Sequence, residues 1–140
     1  MSQIVTIHTD GASRGNPGEA AIAFVIDRPD TLTVNHKSTI GLATNNQAEY
    51  RAMIAAMEKL VELEISDREI TFLADSELMI KQIKGQYRVK DLNLRTLYDQ
   101  VLSHCLTLKA RSNELQFTAI GREGNTVADR LANEALDGNR

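Results

Sequence analysis

The chain is predicted to be an α/β protein built on a five-stranded mixed sheet, three antiparallel strands followed by parallel ones, with helices packed on both faces. Two features predict this. The first part of the chain holds three β-type runs joined by short turns, the pattern of an antiparallel meander. From Asn46 onward the apolar spacing takes a helical period, and helices then alternate with short strands. A strand reached through a helical crossover pairs parallel, so the second half extends the sheet in that sense.

The elements follow in order. Ile4 to Thr9 is β-rich and ends at the turn signal Asp10-Gly11. Arg14-Gly15-Asn16-Pro17-Gly18 is a tight loop by its Gly and Pro content. Ala20 to Ile26 is an apolar strand, Arg28-Pro29-Asp30 a turn, and Thr31 to Ile40 a third strand. A long helix covers Asn46 to Leu63, with Tyr50, Ile54, Met57 and Val61 on one stripe and Thr44 or Asn45 as N-cap. Glu69 to Leu73 is a short strand, and Ser76 to Lys84 a short helix stopped by Gly85. Leu94, Leu97, Val101, Leu102 and Cys105 carry a second long helix. Leu115 to Ile120 is the last strand, and Val127 to Leu136 the last helix, capped by Asn125 or Thr126.

At 140 residues a single domain, 1–140, is expected. The chain has no apolar run long enough to span a membrane. Met1-Ser2-Gln3-Ile4-Val5 lacks the charged start and apolar stretch of a signal peptide. One cysteine cannot close an internal disulfide, and apolar neighbours make Cys105 a buried thiol. These features point to a reducing, cytoplasmic setting. The net charge of −3 is not that of a typical nucleic-acid binder. Four of the acids alone, however, turn that balance to +1 when set aside.

Those four are Asp10, Glu49, Asp75 and Asp129, each at a turn or near an element's end. Singly, each has an ordinary explanation as a turn former, a helix cap or a dipole partner. In a sheet with crossovers, strand carboxyl ends and helix N-termini meet at one edge. Carboxylates gathered there repel unless a cation lies between them. Divalent Mg²⁺ prefers oxygen ligands, and a pair of such ions can activate a water and stabilise the leaving oxygen of a phosphodiester. A metal-dependent nuclease is therefore expected. Asn16, Asn45 and Asn46 flank the first two acids. Their amides can either read a ribose edge, where the 2′-hydroxyl distinguishes RNA from DNA, or simply shape turns and caps.

With these residues in hand, the chain resembles ribonuclease HI, the type 1 ribonuclease H, in a short form without a basic protrusion. The matching pieces are Thr9-Asp10-Gly11 with Gly15-Asn16-Pro17-Gly18, then Thr44-Asn45-Asn46-Gln47-Ala48-Glu49, then Asp75-Ser76, then Asn125 through Ala132. They cover nearly the whole chain in the family's order. The resemblance implies a ribonuclease H-like fold and hydrolysis of the RNA strand of RNA–DNA hybrids to 3′-hydroxyl and 5′-phosphate ends. It implies two ions, Mg²⁺ or Mn²⁺, on Asp10, Glu49, Asp75 and Asp129. Asn16, Asn45 and Asn46 match the family's minor-groove contacts, and Thr44 a contact to the DNA backbone.

Two departures stand out. Many members carry a catalytic-loop His before the last acid. Here the stretch is Ile120-Gly121-Arg122-Glu123-Gly124-Asn125, with Arg122 in the equivalent place. Arg does not shuttle protons at neutral pH but holds phosphate oxygens well; the loop is expected to be mobile. Glu123 is either a ligand or repeller of a departing metal, or a solvated loop charge. The basic protrusion with its Trp residues is also missing, leaving Lys81, Lys84, Arg88, Lys90 and Arg95 around Tyr87. That patch either tracks a phosphate backbone or is a solvated face. Asp91 stands where the family often has an Asn that contacts DNA. The expected protein is a monomeric hybrid-cleaving enzyme. Two alternatives remain: a non-catalytic hybrid-binding module, and another nuclease of this fold, a junction resolvase or a double-stranded RNA nuclease.

Overall fold

The computed structural model describes residues 3–29 and 31–138. Met1, Ser2 and the Asp30 end of the expected Arg28-Pro29-Asp30 turn lie outside the described residues. The strands are β1 (Gln3–Gly15), β2 (Gly18–Asp27), β3 (Val34–Ala43), β4 (Arg68–Ala74) and β5 (Glu114–Ala119). The helices are α1 (Asn45–Glu62), α2 (Glu77–Ile83), α3 (Leu92–Ala110) and α4 (Thr126–Leu136), with a 3₁₀ turn at Arg122–Gly124. The sheet order is β3-β2-β1-β4-β5. β1 pairs antiparallel with β2, and β2 with β3, while β4 is parallel to both β1 and β5.

Strand alternation sends side chains to two cores. Val5, Ile7, Phe24, Ile26, Ile70 and Phe72 face α1, α2 and α3 in the main core. Ala23 and Val25 pack under Leu131 and Ala132, while Ala21 meets Ala135 and Leu136, so α4 covers the opposite face. The small residues there let α4 approach closely. Cys105 is buried in the main core, as its apolar neighbours predict.

Two strands, β1 and β3, differ most from the sequence reading. β1 does not turn at Asp10-Gly11 but runs on to Gly15, pairing with β2 up to Gly15 opposite Gly18. Its parallel partner stops earlier, at Thr9 opposite Ala74. Asp10 is therefore mid-strand in β1, at the step where the sheet loses one neighbour. Gly11 is glycine for closeness, not for a turn: a Cβ there would lie 2.2 Å from the Ala48 carbonyl carbon of α1. The third strand begins at Val34 rather than Thr31. Thr33 instead hydrogen-bonds the Asp27 carboxylate at 2.9 Å, a local bond that competes with strand pairing. β3 then continues to Ala43 through a register shift and Gly41, whose φ is +78°.

Helix starts are set by side chains. Thr44 closes a capping box with Gln47. Ser76 accepts from the Met79 amide and caps α2, which leaves the Asp75 carboxylate free. Asp91 accepts from the Asn93 and Leu94 amides and caps α3.

Candidate active site

Three of the four acids converge at the edge where β1 and β4 separate. Oxygens of Asp10, Glu49 and Asp75 all lie within 4.8 Å of one another. Asp10 is 4% exposed and Glu49 7%; Asp75 is half-buried. Each arrives from a different element: Asp10 from β1, Glu49 from the second turn of α1, Asp75 from the residue after β4. The Gly11 amide donates to Glu49 Oε1 at 2.9 Å, so the close contact that requires glycine also fixes the carboxylate. Asp129, on the first turn of α4, is exposed and stands outside the triad. Its charge is near enough to Asp10 to raise that carboxyl's titration.

The electrostatics follow from this packing. Burial, then the charges of Asp75 and Asp129, push Asp10 up to about 8, against a smaller opposing pull from Arg122. Burial, then Asp10 and Asp75, raise Glu49 well above the carboxylate range, while the Gly11 amide works the other way. Among the described residues no Lys or Arg forms an ion pair with any of the four acids. A cluster of carboxylates without a basic ion-pair partner, and with no nitrogen or sulfur ligand in it, fits a hard divalent cation. The donor set present therefore suits the ion that the sequence implies.

The residues expected from the sequence to meet substrate lie around the start of α1 and the β1–β2 turn. Asn16 Oδ1 accepts from the Asn45 amide at 3.0 Å, and Asn45 Oδ1 accepts from the Ser13 amide at 3.2 Å. These bonds tie the β1–β2 turn to the start of α1. They use the carboxamide oxygens, and among the described residues the Nδ2 groups have no hydrogen-bond partner. Asn16, Asn45 and Asn46 are exposed. Thr44 Oγ1 accepts from the Gln47 amide at 3.1 Å and keeps its own proton to donate.

Arg122 lies in the 3₁₀ turn rather than in a loose loop. The Gly124 amide donates to the Gly121 carbonyl at 3.0 Å and the Asn125 amide to the Arg122 carbonyl at 2.9 Å. Arg122 is near enough to Asp10 to act on its titration. Glu123 folds back over Gly121, where a Cβ would sit 2.3 Å from its Oε1.

The basic patch is partly spent on its own surface. Lys81 pairs with Glu77 at 3.1 Å and stands 5.0 Å above the Tyr87 ring. Arg95 pairs with Asp99 at 3.4 Å. Lys84, Arg88 and Lys90 are exposed. Lys81 and Lys84 border a cleft of about 440 Å³ that runs from Asp75 to Gly121. The sequence reading gave Asn125 only a capping role, yet its side chain makes no capping bond. It donates to the Thr9 carbonyl at 2.9 Å instead. Its position four residues before Asp129 was the available signal.

A mixed five-stranded sheet with this order, and an acid cluster at the carboxyl edge of its central strands, defines the ribonuclease H-like class. Residues 8–135 match the family model described as "Reverse transcriptase-like". The chain is 39% identical to the crystal structure of RNase H1 from the halophilic archaeon Halobacterium salinarum, with a TM-score of 0.86, covering 96% of this chain and 98% of that one. It is 38% identical to LC11-RNase H1, solved in complex with an RNA/DNA hybrid, with a TM-score of 0.87, covering 95% and 96%. It is 40% identical over 135 residues to the bifunctional protein Rv2228c of Mycobacterium tuberculosis, covering 95% of this chain but only 35% of that protein. The chain belongs to the ribonuclease H family, in its type 1 branch.

Proposed function

We propose that this chain is an endonuclease that hydrolyses the RNA strand of RNA–DNA hybrids, leaving 3′-hydroxyl and 5′-phosphate ends, with two Mg²⁺ or Mn²⁺ ions on its four acids. The carrying observation is the gathering of Asp10, Glu49 and Asp75 within 4.8 Å without a basic partner. Similarity to LC11-RNase H1, a protein solved with an RNA/DNA hybrid, supports the substrate. Asp10, Glu49 and Asp75 would hold one ion, and Asp10 with Asp129 the other. When bound, such ions lower the pKa of water and offset charge on the leaving oxygen.

The remaining residues position the substrate. The free Nδ2 donors of Asn16 and Asn45, with Asn46 beside them, suit the acceptors of a hybrid's minor groove and ribose edge. The Thr44 hydroxyl can donate to a phosphate of the DNA strand. Arg122 offers a cation to a non-bridging phosphate oxygen near Asp10. Asp91 is occupied in capping α3, so it makes no such contact. A monomer in a reducing, cytoplasmic setting is part of the same proposal.

Labelled hybrid, duplex RNA and a DNA junction incubated with Mg²⁺ or Mn²⁺ test this reading. Cutting confined to the RNA of the hybrid is expected. Binding without cutting would favour a hybrid-binding module, and cutting of duplex RNA or the junction alone would move the protein to another activity of this fold.

A further inference from the structure

Asp129 sits apart from the triad, on an exposed helical turn, and its distance from Asp10 is set by whatever holds the start of α4 to β1. Asn125 is the residue placed to do this. It is 1% exposed. Its Nδ2 donates to the Thr9 carbonyl at 2.9 Å, one residue before Asp10. Its own carbonyl accepts from the Asp129 amide at 3.1 Å, and its amide donates to the Arg122 carbonyl at 2.9 Å. One side chain and its backbone thus join β1 beside Asp10, the turn carrying Arg122, and the helical turn carrying Asp129.

The side chain is not there for ordinary capping. Asn at an N-cap usually accepts from the helix's own amides, and Asn125 makes no such bond. With Nδ2 directed at Thr9, the Asn125 Oδ1 is left buried without a partner. A buried polar atom left unpaired is costly. The amide is kept in an orientation that sacrifices its oxygen to make one bond to β1. Elsewhere α4 meets the sheet through the apolar Leu131, Ala132 and Ala135 and through a solvent-accessible ion pair, Glu134 to Lys37 of β3 at 3.1 Å, which lies beyond Asp129. Apolar packing and an exposed ion pair fix distance less sharply than a directed, buried hydrogen bond.

We propose that Asn125 is a positioning residue, whose hydrogen bond to the Thr9 carbonyl holds Asp129 at the separation from Asp10 needed to share a divalent ion. The inference rests on the assignment of Asp129 to the metal site. Loss of a group that orients a metal ligand typically weakens metal affinity about 10–100-fold.

The test is a double-mutant cycle read by calorimetric titration with MnCl₂ alone, on wild type, Asn125→Ala, Asp129→Ala and the double variant, each checked for folding by circular dichroism. Asn125→Ala is expected to weaken Mn²⁺ binding about 10–100-fold in the wild-type background and to have little effect once Asp129 is gone. Asn125→Asp, which keeps the size but replaces the donor with an oxygen, should behave like Asn125→Ala and stands in for it if that variant does not fold. Equal weakening by the Asn125 change in both backgrounds, or none in the wild type, overturns the proposal. An Asp129→Ala variant that binds Mn²⁺ like wild type instead overturns the metal-site assignment beneath it.

Discussion

Asp10 is the residue at which the acids of the candidate site meet. It touches both halves of the site: the triad with Glu49 and Asp75, and the approach to Asp129. Its folded-state value is raised to about 8, so without metal the folded protein holds a proton there that the unfolded chain releases near the ordinary value. That contribution to stability is complete below about pH 3.9 and is lost as pH rises through the folded value. Metal-free protein should therefore lose thermal stability between mildly acidic pH and about pH 9, and Asp10→Asn should reduce the slope, Glu49 supplying the rest. The same variant should lose hybrid cleavage by orders of magnitude while keeping its fold. Melting curves across pH, with a cleavage assay, check both; near-normal cleavage by Asp10→Asn would remove this residue from the site. Asn16→Ala and Asn45→Ala should weaken hybrid binding while leaving the metal isotherm intact, and a lost isotherm would place them in the metal shell instead. The acids themselves were legible in the sequence because each stands in a recognisable short motif. The second duty of Asn16 and Asn45, joining the β1–β2 turn to α1, was not, since it needs two segments brought together by the sheet.

At the scale of elements, the contact between β1 and α1 does the positioning. The Gly11 Cα lies so close to Ala48 that any Cβ meets backbone, and backbone cannot rotate away as a side chain can. Gly11→Ala should cost about 1–3 kcal/mol of folding stability or more, measured by urea denaturation, and should pull Glu49 from the Gly11 amide with a fall in turnover. Unchanged stability would mean that α1 can slide without consequence. The sequence suggested a turn at Asp10-Gly11 because Asp-Gly is a local turn signal; pairing with β2 overrode it, as tertiary contacts override short propensities. The 3₁₀ turn at Arg122–Gly124 is the other element to which the proposed function gives a role. Arg122→Ala should lower turnover more than hybrid affinity, by roughly ten- to a thousandfold if it acts as one electrostatic donor. The pH–rate profile should show no inflection near about 6.5, the ordinary histidine value, because Arg does not titrate there. Turnover unchanged in Arg122→Ala would reduce this turn to a connector. The loop was expected to be loose from its glycines. Its regular form comes from backbone bonds into Asn125 that composition does not reveal.

At the scale of the whole molecule, element order and the mixed sheet were legible because the apolar pattern first takes a helical period after the third strand and then alternates between helical and strand-like runs. The strand ends were less legible: they depend on where a partner stops, as β4 does at Ala74. The packing gathers acids of a −3 chain at one edge and leaves Lys84, Arg88 and Lys90 exposed elsewhere, an arrangement compatible with the proposed polyanionic substrate. The central claim is that this edge hydrolyses RNA paired to DNA through divalent ions. The most direct measurement uses a hybrid labelled separately on each strand, incubated with Mg²⁺ and, in parallel, with a chelator, followed by analysis of the product ends. Only the RNA strand should shorten, only with metal, and the new ends should be 3′-hydroxyl and 5′-phosphate. Cutting of the DNA strand, or RNA cutting that survives the chelator and leaves a cyclic phosphate, would contradict the claim.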